Sequence, residues 1–204
     1  MHPEVIAKFE EICAARGVGN SVLEVGAVAA DDTLLCMQSV RSAQERIGLN
    51  LDGPHTYRGF QILRGDANDM RCFPADRFDT VLCNATLEHD KFFWRTLAEI
   101  RRVAKPGALI VIGVPGYTDF NLPAYLRRVT RIPLLGRYLQ RRFVDLASST
   151  ITLHIHNYPG DFYRFSPQAM EHVFLEGLEK IEVCSVMTSP RIIGSAFKAR
   201  LADR

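Results

Sequence analysis

Apolar and polar residues follow one another along this chain in the pattern of strands and helices taken in turn. Short apolar runs bounded by Gly, Asp or Asn favour buried strands, and apolar residues at every third or fourth position favour amphipathic helices. The runs that predict strands cover residues 21–25, 46–51, 60–63, 78–84, 108–114, 180–187 and 191–198. The runs that predict helices cover residues 3–16, 31–40, 90–103 and 167–175. This alternation predicts an α/β fold with a doubly wound, mostly parallel seven-stranded sheet.

Two stretches depart from the alternation. Only a few residues separate the turn at 52–54 from the strand at 60–63, so we expect a reduced crossover helix between the second and third strands. Residues 117–150 follow the fifth strand and hold a basic, apolar segment, 122–145, broken by prolines and a glycine. We interpret 117–150 as a helical insertion or lid, within a single domain that covers residues 1–204.

Composition narrows the class of protein. The chain has 204 residues, 47% of them hydrophobic and 24% charged, as is typical of one globular domain. A formal net charge of +2 gives no reason to expect a nucleic-acid partner. The five cysteines are scattered without metal spacing, which predicts reduced thiols, no metal site and a cytoplasmic location. We expect no signal peptide and no transmembrane segment, because the chain has no apolar run of that length.

Polar residues or glycine stand at the ends of the first four predicted strands. In an open α/β sheet, ligands bind outside the carboxyl ends of the strands, so these residues are candidates for a binding site. They are Glu24 and Gly26, Asn50 and Asp52, Asp66 and Ala67, and Asn84.

Four motifs and their order carry a resemblance to a known family. They are Val22-Leu23-Glu24-Val25-Gly26, then Gly65-Asp66-Ala67-Asn68, then Phe78 to Asn84 running into Leu87-Glu88-His89, then Arg101 to Gly107. Over roughly residues 20–116 the chain resembles a class I S-adenosylmethionine-dependent methyltransferase with a type-11 methyltransferase domain. The resemblance implies a Rossmann-like methyltransferase fold, S-adenosyl-L-methionine as cofactor, and methyl transfer to a small or medium-sized acceptor.

The resemblance also implies roles for the first turn and its neighbour. In the family, an acid-x-Gly-x-Gly turn holds the methionine part of the cofactor, and here Glu24 and Gly26 match that pattern. The second glycine is replaced by Val28, which resists the positive φ that glycine allows. An ordinary strand-to-helix turn without a ligand stays open as an alternative for this loop.

The next strand ends would serve the nucleoside part of the cofactor. The ribose position maps to Asn50, with Asp52 as a substitute acid or, alternatively, an ordinary turn residue before Gly53-Pro54. The resemblance assigns the adenine amino group to Asp66 and the adenine ring to the backbone of Ala67. A helix cap is the structural alternative for Asp66. Asn84 would border the sulfonium.

Three histidines are candidate bases for removing a proton from the acceptor. They are His89, after the fourth strand, and His154 and His156, before the last predicted helix. The arginine-rich segment 122–145 is compatible with a lid, a patch for an anionic acceptor or a membrane surface, or helices facing solvent or a homodimer partner.

Two other functions stay open. The missing glycine and the asparagine at the ribose position are compatible with a catalytically inactive methyltransferase-like scaffold that binds a partner. A nicotinamide-dependent oxidoreductase is disfavoured, because Gly-x-Gly-x-x-Gly does not follow the first strand.

Overall fold

The computed structural model describes residues 1–117, 160–187 and 190–200. Its strands are Ser21–Val25 (β1), Glu45–Asn50 (β2), His55–Tyr57 (β3), Phe60–Arg64 (β4), Phe78–Asn84 (β5), Ala104–Pro115 (β6), Glu179–Val186 (β7) and Arg191–Phe197 (β8). The helices are Pro3–Arg16 (α1), Phe93–Val103 (α2) and Pro167–Ala169 (α3), which continues as a π-helical turn over Met170–Phe174. The strands form one sheet in the order β3-β4-β2-β1-β5-β6-β8-β7. The predicted doubly wound α/β fold is confirmed.

The order in which the chain adds strands to the sheet reverses beside β1. Strands β1, β2, β4, β5 and β6 are parallel, and β3, β7 and β8 each pair antiparallel with a neighbour. From β1 the chain adds β2 and β4 on one side, and then returns to add β5 and β6 on the other. A crevice forms at such a switch point. The loops after β1, β2, β4 and β5 therefore converge on one edge, which we call the carboxyl edge.

Hydrophobic cores cover both faces of the sheet. Leu23 and Val25 of β1 pack on the face that carries α2 and Phe174, whereas Val22 packs with Phe9 of α1 on the opposite face. A central parallel strand buried on both sides reads as a nearly continuous apolar run. This is why the sequence pattern of β1 identified it so readily.

The helix predicted over residues 31–40 is wrong. Two short 3₁₀ turns, Leu34–Cys36 and Gln38–Val40, stand in its place. An α-helix would pair the Ser39 N–H with the Leu35 carbonyl. Instead, Ser39 N donates to Glu10 Oε1 of α1 at 2.9 Å, and Arg46 Nη1 of β2 donates to the Leu35 carbonyl at 2.9 Å. Tertiary partners therefore take the groups that would have propagated the helix.

The prediction of a reduced crossover helix before β4 is also wrong. Within the described residues, the sheet has eight strands instead of the predicted seven. The chain forms β3 there and pairs it antiparallel with β4. The connecting residues Arg58 and Gly59 have φ angles of 44° and 82°. Two consecutive positive φ angles are typical of a tight hairpin whose twist matches that of the strands.

Most of the predicted insertion, residues 118–150, and the histidines His154 and His156 lie outside the described residues. The described part of segment 117–150 is Tyr117 alone, whose N–H donates to the Phe165 carbonyl at 3.0 Å. Within the described residues, no helix is both long and apolar enough to cross a membrane.

The Asp79 side chain links the amino ends of β1, β5 and β6. Its carboxylate accepts from Ser21 N at 3.0 Å, Ser21 Oγ at 2.8 Å and Lys105 Nζ at 2.7 Å. Burial by itself raises the pKa of this carboxyl, but the Lys105 and Ser21 hydrogen bonds outweigh it and hold the pKa below its usual value. We expect Asp79→Asn to lower the free energy of unfolding by about 1–3 kcal/mol at neutral pH.

The pH dependence follows from the lowered pKa. The contribution of Asp79 is present above the unfolded-state pKa and is lost as pH falls through the folded-state value, below about pH 4. Urea unfolding of wild type and Asp79→Asn should therefore converge in acid. Glu176→Gln, at an exposed carboxylate, is the matched control and should change little. A constant gap between wild type and variant down to the lowest pH would contradict this interpretation.

Candidate functional site

The loop after β1 depends on Gly26. Its φ is +83°, and a Cβ at this position would lie 2.0 Å from Thr86 Oγ1 in the loop after β5. The N–H groups of Gly26 and Ala27 both donate to the Leu49 carbonyl of β2, at 2.8 and 3.2 Å. The loop is thus packed between the ends of β2 and β5. Val28 has 46% of its side chain exposed, so the replacement of the expected glycine leaves no clash in this loop.

Glu24 supports the same loop from within the core. It is 3% exposed, and its carboxylate accepts hydrogen bonds from Leu34 N, Leu35 N and Thr33 Oγ1. Burial raises the pKa of this carboxyl, and these three hydrogen bonds act against the rise. The side chain therefore fixes the backbone that follows the Gly26 turn.

Asn50 links the loops after β1 and β2. Its Nδ2 donates to the Ala27 carbonyl at 2.7 Å, and its Oδ1 accepts from Asp52 N at 3.1 Å. An aspartate here could accept but not donate, so it could not make the bond to Ala27. Asp52 itself is exposed, with Oδ2 3.7 Å from His55 Nε2.

Asp66 closes a turn after β4. Its Oδ1 accepts from Asn68 N at 2.8 Å and from Asn68 Nδ2 at 3.2 Å, and the residue is exposed. Asn68 Nδ2 also donates to Asp90 Oδ1 at 2.9 Å, and the same oxygen accepts from Phe92 N at 2.8 Å, just before α2 begins. This chain of bonds ties the Asp66 turn to the loop after β5. No helix begins at Asp66, so the helix-cap alternative is wrong for this residue.

Asn84 is the last residue of β5, and its side-chain oxygen Oδ1 is a buried hydrogen-bond acceptor. The residue is 8% exposed, and its Oδ1 has no hydrogen-bond partner among the described residues. Gly113 on the neighbouring strand makes room for it, because a Cβ there would lie 2.3 Å from Oδ1. A buried acceptor without a partner is rare, and it marks a position where a bound donor would be favourable.

Glu88 is the most unusual group at the carboxyl edge. It is fully buried, and neither carboxylate oxygen accepts a hydrogen bond from another described residue. Burial raises its pKa, and the Glu88 backbone N–H and the positive charges near His89, Arg191 and Arg164 act against the rise. His89 Nε2 lies 3.9 Å from Glu88 Oε1, and His89 Nδ1 contacts the Gly160 carbonyl. Since a carbonyl only accepts, Nδ1 carries the proton, and Nε2 is the nitrogen that faces Glu88.

The segment 160–166 packs directly on this loop. Phe162 N donates to the Glu88 carbonyl at 2.8 Å, and Tyr163 Oη donates to the Lys91 carbonyl at 3.0 Å. Phe93 of α2 stacks edge-on against Tyr163 and Phe165, with ring centroids 5.1 and 5.2 Å apart. Segment 160–166 and the loop after β5 are therefore in direct contact at the carboxyl edge.

An ion pair completes the wall of the site on this side. Arg164 makes a bidentate pair with Asp161, whose side chain is 1% exposed. The positive charge of Arg164 also acts to lower the pKa of the Glu88 carboxyl. Within the described residues no group of three or more His, Cys, Asp or Glu side chains converges in the manner of a metal site.

The comparisons with known proteins agree with this geometry. Residues 17–112 match the family model described as a methyltransferase domain. This part of the chain is similar to that family, and it makes up slightly less than half of the sequence. The match begins before β1 and ends within β6, so it contains the switch point and the loops that form the carboxyl edge. No curated protein sequence matches the chain.

Solved structures share the fold of this methyltransferase domain at low sequence identity. The 1,6-didemethyltoxoflavin-N1-methyltransferase of Burkholderia thailandensis, with bound 1,6-didemethyltoxoflavin and S-adenosylhomocysteine, is 15% identical with a TM-score of 0.61, covering 96% of this chain and 78% of that one. An S-adenosylmethionine-dependent methyltransferase of Thermotoga maritima is 14% identical with a TM-score of 0.57, covering 95% and 89%. The YcgJ protein of Bacillus subtilis is 12% identical with a TM-score of 0.59, covering 98% and 100%. The resemblance to class I methyltransferases is confirmed.

The sequence-predicted candidates fall into two groups in the structure. Glu24, Gly26, Asn50, Asp52, Asp66, Ala67, Asn84 and His89 all lie at or directly below the carboxyl edge. Their roles toward a cofactor stay predictions. Thr86, Glu88, Asp161 and Arg164 also lie at this edge, and the sequence analysis assigned no role to any of them. The motif Leu87-Glu88-His89 was a signal for Glu88, but its burial depends on a segment more than 70 residues later.

Gly26 generates the prediction for this site. We expect Gly26→Ala to lower the free energy of unfolding by about 1–2 kcal/mol for the positive φ, and by about 1–3 kcal/mol more for the contact with Thr86. Gly59→Ala is the matched control, since Gly59 has φ +82° and no atom within 4 Å of an added Cβ. Urea unfolding should show the larger loss for Gly26→Ala, and Thr86→Ala in that background should recover part of the difference. Equal losses at positions 26 and 59 would show that Thr86 does not fill this space.

Proposed function

We propose that this protein transfers a methyl group from S-adenosylmethionine to a small or medium-sized acceptor at the carboxyl edge. The observation that carries the proposal is the convergence, within the region that matches a methyltransferase domain, of a Gly26 turn, an exposed Asp66 carboxylate and a buried Asn84 oxygen without a partner among the described residues. Acceptors of these kinds fit the amino groups of a nucleoside linked to an amino acid.

The residues at this edge fit the cofactor in named roles. Asp66 would accept from the adenine amino group through Oδ2, since Oδ1 is held by Asn68. The exposed Asp52 carboxylate would face the ribose hydroxyls, because Asn50 is engaged with Ala27. The backbone at Gly26 would approach the methionine part, and Ala67 would contact the adenine ring.

Methyl transfer from a sulfonium needs no covalent intermediate with the protein. A bound sulfonium supplies an already activated methyl group, so alignment and exclusion of water are the main contributions of the chain. His89 and Glu88 would take the proton that an O–H or N–H acceptor loses, with Nε2 as the receiving atom and Glu88 stabilising the charged imidazole. His154 and His156 stay predictions as further acceptor-side residues.

A second candidate is a methyltransferase-like scaffold without activity. It is favoured by the 3₁₀ turns after β1, because a regular helix there would direct its N-terminal N–H groups toward the cofactor carboxylate. The two functions differ in one measurement, which is binding of S-adenosylmethionine by calorimetry. An inactive scaffold that has lost the site would give no heat at millimolar ligand.

Asp66 provides the first test of the proposed function. We expect S-adenosylmethionine and S-adenosylhomocysteine to bind with a free energy on the order of −8 kcal/mol. Asp66→Ala should weaken this by about 1–3 kcal/mol, since a buried adenine amine would lose its acceptor. Asp69→Ala, in the same turn but paired with Arg71, is the control and should bind normally. If Asp66→Ala unfolds the protein while the folded fraction binds normally, Asp66 serves only the turn.

Glu88 provides the second test, because its expected effects on stability and activity have opposite signs. A carboxyl whose pKa is raised in the folded state costs stability as pH rises above the unfolded-state value, about 4.3. Glu88→Gln should therefore match or exceed wild type in unfolding free energy near neutral pH, with a gap that grows from acid upward. Methyl transfer should fall at least about tenfold. Loss of stability with full activity would assign Glu88 to the fold alone.

A further inference from the structure

A second site lies on the α1 face of the sheet, away from the carboxyl edge. A cavity of about 440 Å³ is lined by Cys36, Arg41, Arg46 and Arg58. Arg46 stands near the amino end of β2, and Arg58 in the turn that precedes β4, so the cavity opens toward the amino ends of these strands. The 3₁₀ turns that replace the predicted helix form its other wall.

Two of the guanidinium groups are held in place by the fold. Arg46 donates from Nη1 to the Leu35 carbonyl at 2.9 Å and lies over the Phe60 ring, 5.4 Å from its centroid. Arg58 Nη2 lies 2.6 Å from Asp31 Oδ1, and its guanidinium is 5.9 Å from the Tyr57 ring centroid. Arg46 is thus held at the cavity wall and loses little entropy when it binds a ligand, whereas Arg58 is paired at the surface with 55% of its side chain exposed.

The guanidinium groups of Arg46 and Arg58 line the same cavity as the Cys36 thiol. Burial raises the pKa of this thiol; the positive charges of Arg58 and Arg46 act against that rise, and the negative charges of Asp31 and Glu24 add to it. Cys36 marks the wall of the cavity that faces the arginines.

Positive charge in the cavity exceeds the negative charge that faces it. Asp31 is the described carboxylate that pairs with an arginine of the cavity, and Tyr57 Oη also donates to it. Glu24, the other nearby acid, directs its carboxylate to the loop at residues 33–35. Arg41 and Arg46 thus contribute two positive charges without a paired acid among the described residues. Like charges held together favour a bound anion.

We propose that this cavity binds the phosphate group of a small molecule. A planar guanidinium donates two parallel hydrogen bonds to phosphate, so several arginines around one cavity suit this group best. A phosphate monoester carries close to two negative charges at neutral pH and matches the excess in the cavity. A volume of about 440 Å³ falls in the range of small-molecule pockets. The site is separate from the proposed methyl-transfer site.

The first experiment measures binding of inorganic phosphate and glycerol 3-phosphate by calorimetry. Arg41→Gln should weaken both by about tenfold, and Arg58→Gln should weaken them as a second variant. Arg95→Gln, at an exposed arginine of α2 on the opposite face, is the matched control and should bind as wild type does. Affinity for S-adenosylmethionine should be unchanged in all three variants, so failure here leaves the proposed function untouched.

The second experiment uses the cysteines as reporters. Cys36 is half-buried in the cavity wall and Cys72 is exposed elsewhere, so mass spectrometry after alkylation reports each separately. Phosphate or its ester should slow alkylation of Cys36 and leave Cys72 unaffected. Tighter binding of glycerol 3-phosphate supports an organic phosphate as ligand, and equal binding supports free phosphate. No binding at millimolar concentration, equal binding by Arg41→Gln and wild type, or unprotected Cys36 would each overturn the proposal.

Discussion

The parallel pairing of β1 with β5 is the constraint on which the rest of the site depends. It places Val25 opposite Cys83, so that the loops at Gly26 and Ala85 begin side by side. The contact between Gly26 and Thr86 is a direct consequence, and glycine at position 26 is what allows it. Because β2, β4 and β6 extend the sheet in the same direction, the described candidates that follow β2, β4 and β5 reach the same edge.

The loop after β1 is held by side chains rather than by a helix. Glu24 fixes residues 33–35 from the core, and Asn50 fixes the Ala27 carbonyl from β2. In the resemblance-based prediction these two positions serve the cofactor directly. The structure gives both residues a supporting contact within the protein. The asparagine fits because its amide can donate to the Ala27 carbonyl, and Val28 fits because its side chain is partly exposed.

The end of β5 and the loop after it, which packs against the segment at 160–166, hold the buried polar residues Asn84 and Glu88. A buried carboxylate that no neighbouring side chain hydrogen-bonds costs stability, and within the described residues Glu88 is such a group. Residues that lower stability in this way concentrate at functional sites. The aromatic contacts of Phe93 with Tyr163 and Phe165 hold the segment against α2.

The sequence by itself determined the strands and their polar ends. Apolar periodicity depends on burial of each element, and β1, β5 and β6 are buried on both faces, so their patterns were unambiguous. The same pattern was insufficient for residues 31–40, where helical spacing was present but Glu10 and Arg46 took the backbone groups. The β3 strand was missed because it is short and mostly exposed.

Only the tertiary structure decided which polar residues meet. Glu88 and His89 lie next to Gly160 and Phe162 because the chain returns to β6 through a parallel bridge between Gly116 and Phe165. Likewise, Cys36, Arg46 and Arg58 belong to three different elements and share a cavity only through the packing of the sheet. The spacing of residues along the chain does not predict such contacts, because they depend on long-range packing and not on local periodicity.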